Sequence, residues 1–227
     1  MDRTTAYAAA PGLAPSPRPA APAARSRARR ATPPAPAPLV RDLRGRAGRG
    51  PRALLFARHD LVVVTGLPGG GKSTLMRRAV PGARVDSQDT RDRWERRMPR
   101  RLPYALYRPL VRLSHYAGLR RALAGGGGLV VHDCGTQTWV RRWLAREARR
   151  RGAALHLVLL DVGADEALAG QRARGRGVSR YAFARHRAAT ARLLAAVAAG
   201  RPPAGCGSAV LLDRAAARAL RRIAFVR

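Results

Sequence analysis

Nine consecutive residues, Gly66, Leu67, Pro68, Gly69, Gly70, Gly71, Lys72, Ser73 and Thr74, have the types and spacing to do chemistry on an anion. Glycines let backbone N–H groups close around oxygen atoms, and a helix starting at Lys72 would point its positive end at them. An apolar run over 61–65 precedes the loop, and a helix-like segment to about residue 79 follows it. In that strand–loop–helix context the pattern is a phosphate-binding loop. Lys72 would reach the β- and γ-phosphates of ATP, and the Ser73 hydroxyl would ligate Mg²⁺. A bare glycine turn would not ask for Lys-Ser in this register.

The basic residues sharpen that expectation. All but one of the 45 are arginine, and the single lysine is Lys72. A compact ammonium fits inside a loop where a planar guanidinium does not. The formal net charge of +32, with 13 acidic residues, favours polyanionic partners such as nucleotides or nucleic acid. A general bias toward arginine would give the same charge without any such partner.

With so few carboxylates, those at strand ends stand out. Asp133 closes an apolar run over 129–132 and suits a carboxylate on the Mg²⁺ side of the nucleotide, with a turn or cap aspartate as the alternative. Asp161 reads as capping the loop that leads to the next helix. Phosphoryl transfer also needs a carboxylate near an acceptor hydroxyl, for which Asp86 and Asp89 are candidates. Cations must neutralise the transferred oxygens, and Arg172 and Arg176, set among glycines over 171–177, could do so from a closing lid. A solvated basic turn is the plainer alternative there. His132, His156 and His186 show no metal or nucleophile spacing, and no Ser–His–Asp arrangement stands out.

Five apolar strands (61–65, 83–87, 129–133, 154–161 and 208–213) alternate with helical segments. That alternation predicts an α/β fold, a P-loop NTPase three-layer sandwich with a mainly parallel five-stranded sheet and helices on both faces. Residues 54–57 should pack at the edge of the domain, and 214–222 should be a closing helix. Residues 90–124 read as a helical insert broken by Pro99, Pro103 and Pro109, with Leu106, Leu110, Leu113, Leu119 and Leu123 at helical spacing. Residues 1–50, rich in Ala, Pro, Arg and Gly, predict a disordered tail before a single domain over 51–227. Cys134 and Cys206 make no disulfide framework, and no apolar run approaches a membrane span. A monomer in a reducing cytoplasm is the expectation.

The order of these motifs resembles the polynucleotide kinase and zeta-toxin-like P-loop kinases, many of whose bacterial members are labelled AAA family ATPases. The resemblance covers about residues 60–195: the loop, then Ser87, Gln88, Asp89, Thr90 and Arg91, then the strand to Asp133, then 171–177 and a helix with His186. It implies transfer of the ATP γ-phosphate to a hydroxyl of a nucleic acid end, nucleotide or small metabolite. In the polynucleotide kinase branch an Asp-Asp-x-Arg element supplies the base and an acceptor-binding arginine. Matched in register, Arg91 takes the arginine position and Asp89 the second acid, but Gln88 stands where the first acid belongs. Either Asp89 or Asp86 then substitutes, or the acceptor chemistry differs from that branch. By the same resemblance the lid arginines are Arg172 and Arg176. The chain after the fifth strand is too short for the helical lid domain of a ring ATPase. A nucleic-acid-binding protein with ATP as a regulatory ligand is the alternative, motivated by the basic tail and the aromatic–arginine insert.

Overall fold

The computed structural model describes residues 39–46, 49–99, 101–133, 137–173, 175 and 179–226. Its strands are β1 (Leu39–Asp42), β2 (Ala53–Ala57), β3 (Leu61–Gly66), β4 (Arg84–Val85), β5 (Leu129–His132), β6 (Leu155–Leu160), β7 (Cys206–Leu212) and β8 (Arg222–Val226). Its helices are α1 (Lys72–Ala79), α2 (Ser87–Glu95), α3 (Tyr104–Ala124), α4 (Thr138–Arg150), α5 (Ala164–Arg172), α6 (Arg180–Ala198) and α7 (Arg214–Ala219). Six strands form one parallel sheet in the order β1-β7-β6-β3-β5-β4. β3 lies inside this sheet, between β5 and β6, which puts the loop after it in the crevice where such sheets bind ligands.

The apolar runs are buried on both faces, as central parallel strands require. Val62, Val64, Val158 and Leu160 join α1, α7 and the β2–β8 pair in one core. Leu61, Val63, Leu157 and Leu159 face the other way, toward α3, α4 and α6. The result is three layers with helices on both sides of the sheet.

The sheet has six strands rather than the five expected. Leu39–Asp42, within the stretch expected to be tail, pairs in parallel with β7. It was hidden because an edge strand needs only one buried face, and these four residues include an arginine and an aspartate. Its far end is tied down: Arg44 bridges Asp42 at 2.7 Å and Asp161 at 2.6 Å, and Gly45 N donates to Asp213 Oδ2 at 2.7 Å. Asp161, at the start of the loop leading to α5, is the partner of Arg44, and the residue capping α5 is Gly163. The Arg44 guanidinium holds the Asp42 carboxyl below its ordinary range. The expected closing helix stops at Ala219, and residues 222–226 instead form β8, paired with β2.

The helical insert is two helices, parted around Pro99 and Pro103, with Pro109 carried inside α3. α3 buries Tyr107, Val111, Leu119 and Leu123, whereas Leu106, Leu110 and Leu113 are exposed. At the amino end of the sheet, Asp60 accepts from the Ala57 and Ala154 backbone N–H groups and bonds His156 Nε2 at 2.9 Å. His156 Nδ1 in turn shares a hydrogen bond of 2.7 Å with Ser208. This Asp–His–Ser chain, absent from the expectations, fastens the starts of β3, β6 and β7 at the end opposite the phosphate loop. Among the described residues no helix is long and apolar enough to cross a membrane.

Candidate functional site

The loop of residues 66–74 joins β3 to α1 at the carboxyl edge of the sheet. Gly71 caps α1 with φ 91°, a left-handed conformation that turns the chain into the helix without a side-chain cap. Gly69, at φ 89°, is held by close packing as well: a Cβ there would lie 2.0 Å from the Ala167 carbonyl oxygen on α5. Gln171, on the same helix, donates to the Pro68 carbonyl at 3.0 Å. The α5 helix thus forms the outer wall of the loop, a role that residues 164–171 gave no sign of beforehand.

Lys72 is buried, and its Nζ donates to the Gly66 carbonyl at 2.9 Å and the Leu67 carbonyl at 2.7 Å. The ammonium therefore sits inside the loop, with the buried Ser73 beside it at the first turn of α1. Such a cradle presents backbone N–H groups, a helix end and one point charge to a bound phosphate chain.

β3 and β5 run side by side with Val64 opposite His132, and the Asp133 N–H donates to the Val64 carbonyl at 3.0 Å. That pairing places Asp133 next to the loop. Asp133 is buried, and Arg141 of α4 holds its Oδ2 at 2.8 Å. It is not a helix cap, because α4 starts from Gln137 without a side-chain cap. Among the described residues no three His, Cys, Asp or Glu side chains gather to hold a metal unaided. Mg²⁺ in a nucleotide site does not need such a cage; it takes one or two protein oxygens and the phosphates. Ser73 and Asp133 supply hard oxygens, and Thr65 Oγ1, at the end of β3, is buried without a hydrogen-bond partner. The donor set fits the ion.

Asp86 follows β4 and caps α2, its Oδ1 accepting from the Gln88 N–H at 2.9 Å. The same oxygen lies 3.5 Å from His132 Nδ1, which shares a hydrogen bond of 2.7 Å with Ser87 Oγ. Beside this cluster is a pocket of about 160 Å³ whose walls include Gln88, Arg91, His115, Tyr116, His132 and Asp133. Burial drives the pKa of His132 down to about 3, helped by the Lys72 charge and opposed by Asp86. Burial also lowers His115, again opposed by Asp86. Both rings are neutral at neutral pH. Arg91 stacks 4.0 Å over the Tyr104 ring and pairs with Glu95 at 2.7 Å.

Of the candidate acids, Asp86 lies in this cluster and Asp89 does not. One residue beyond Gln88 on the helix, Asp89 points about 100° away, toward Arg77 at 3.7 Å and Arg84 at 3.9 Å. Gln88 and Arg91 are the pair turned to the pocket. Arg172 ends α5 and is exposed, while Arg176 lies outside the described residues. His115 and Tyr116 line the pocket from the insert without having been named as site residues, and His132, read from the sequence as structural, lines it too. For His132 there was a signal: it directly precedes the strand-end Asp133.

A buried lysine in a glycine loop after a central parallel strand, a hydroxyl at the helix start and a carboxylate on the adjacent strand together define a P-loop nucleotide-binding protein. The AAA domain family model matches residues 61–200, and the chain belongs to that family. Similar solved structures include the tunicamycin resistance protein of Deinococcus radiodurans, at 18% identity over 60% of this chain and 81% of that one, with a TM-score of 0.39. A candidate kinase from Chloroflexus aurantiacus is 16% identical over 69% of this chain and 85% of that one, TM-score 0.45. The PezAT toxin–antitoxin system of Streptococcus pneumoniae is 13% identical over 57% of each, TM-score 0.40. Likenesses this distant carry no argument about chemistry. No curated protein sequence matches the chain.

Proposed function

We propose that the chain is an ATP-dependent kinase that moves the γ-phosphate to a hydroxyl bound in the pocket between α2, α3 and β5. The observation that carries this is Asp86. Its Oδ2 is buried without a partner beside a pocket that opens along the strand neighbouring the phosphate loop. A carboxylate so placed can take the proton of an acceptor hydroxyl, directly or through one water. The acceptor oxygen then bonds to the γ-phosphorus, the bond to the β–γ bridging oxygen breaks, and ADP leaves with Lys72 against its phosphates. Ser73 and Asp133 would hold Mg²⁺, which when bound supplies charge neutralisation to the phosphates. Neutral His132 and Gln88 would orient the acceptor, and Arg172 would approach from the α5 side.

The test is transfer of label from γ-labelled ATP to a panel of nucleosides, oligonucleotides and sugars, with Lys72→Ala as the control. Label should reach one acceptor class in the wild type only. If the wild type binds ATP and transfers label to nothing but water, the kinase reading is wrong.

A further inference from the structure

Another surface starts at the rim of the pocket. Tyr116, in the pocket wall, packs its ring against that of Trp139 with centres 5.0 Å apart. Trp139 is 50% exposed and opens a stripe along α4 that continues through half-buried Trp143, one side of which packs on the core, and through exposed Arg146 and Arg150, at steps of four, three and four residues. With Glu147 and Arg149 these residues line a groove of about 710 Å³. Glu147 is the only acid on α4, and Arg150 and Arg151 hold it at 2.6 and 3.1 Å. Arg142, Arg146 and Arg149 are exposed and meet no carboxylate among the described residues. Two indole rings between uncompensated guanidinium groups match alternating bases and phosphates. An acidic peptide would use the arginines and leave the rings without stacking partners, whereas an anionic membrane surface would take both and is separated by the experiment below. A duplex keeps its bases stacked on one another.

We propose that this face of α4 binds single-stranded nucleic acid, with bases stacked on Trp139 and Trp143 and phosphates on Arg142, Arg146 and Arg149. The binding does not depend on phosphoryl transfer. The experiment uses the full chain and a labelled single-stranded oligonucleotide of about 12 nucleotides, titrated between about 50 and 200 mM salt. Arg146→Glu with Arg149→Glu is compared with Arg187→Glu and Arg192→Glu, two exposed arginines on α6; both pairs remove the same charge. The α4 pair should weaken binding by about tenfold or more and flatten the salt slope by about 1.4, while the α6 pair stays within about twofold. Tryptophan fluorescence should be quenched on binding, and less so in Trp139→Leu. Equal losses from the two pairs, unquenched fluorescence, or tighter binding of the matching duplex or of anionic phosphatidylserine vesicles would overturn the proposal.

Discussion

Gln171 Nε2 donates to the carbonyl oxygen of Pro68 at 3.0 Å, fastening the last turn of α5 to the phosphate loop. Gln171 is also the first residue of the stretch 171–177 expected to form a lid, of which residues 174 and 176–177 lie outside the described residues. Gln171→Ala removes a buried hydrogen bond worth about 1 kcal/mol. The unfolding free energy of Gln171→Ala should be lower by that amount, and its KM for ATP several-fold higher. Urea denaturation and initial-rate kinetics check the two effects separately.

Lys72 offers a sharper test, because it is the one place where the chain uses an ammonium. Its Nζ fits between two carbonyls at 2.7 and 2.9 Å, a space too tight for a forked guanidinium. Lys72→Arg keeps the charge yet should lower the transfer rate by on the order of 10²-fold. Stopped assays with labelled ATP measure it; a rate within twofold of wild type would show that charge alone suffices.

The pocket histidines make stability depend on pH in a defined direction. His132 titrates near 3 in the fold against 6.5 in the unfolded chain, so between those values the unfolded state binds more protons. Stability contributed by the neutral ring is complete above about pH 6.5 and is lost as the pH falls toward 3. Lowering the pH from 7 to 5 should cost the wild type roughly 2 kcal/mol through this group, a loss that His132→Asn should spare. Denaturation of the metal-free and nucleotide-free protein at the two pH values checks the sign.

The donor side was legible in the sequence because its parts are local. The loop, the strand before it and the apolar run ending at Asp133 are contiguous, and strands buried on both faces announce themselves by unbroken hydrophobicity. Other features depend on geometry that spacing does not carry. Leu39–Asp42 is an edge strand with little apolar surface, and the alanines and arginines near the carboxyl end favour helix locally until pairing with β2 makes Arg222–Val226 a strand. Leu106, Leu110 and Leu113 have the period of a buried face, but Tyr107 and Val111, one position on, share that period and win the core. Likewise, which of Asp86 and Asp89 lies beside the pocket turned on where α2 begins. Because Asp86 is its cap, Gln88 and Arg91 face the pocket and Asp89 turns to Arg77.

That last relationship exposes the central claim to direct measurement. Asp86→Asn preserves the cap on α2, since asparagine accepts the same hydrogen bond, but removes the proton acceptor. The rate of γ-phosphate transfer under saturating ATP should fall by about 10²- to 10⁴-fold in Asp86→Asn with ATP affinity unchanged, while Asp89→Asn stays within about twofold. A full rate in Asp86→Asn, or a collapse in Asp89→Asn, would contradict the account.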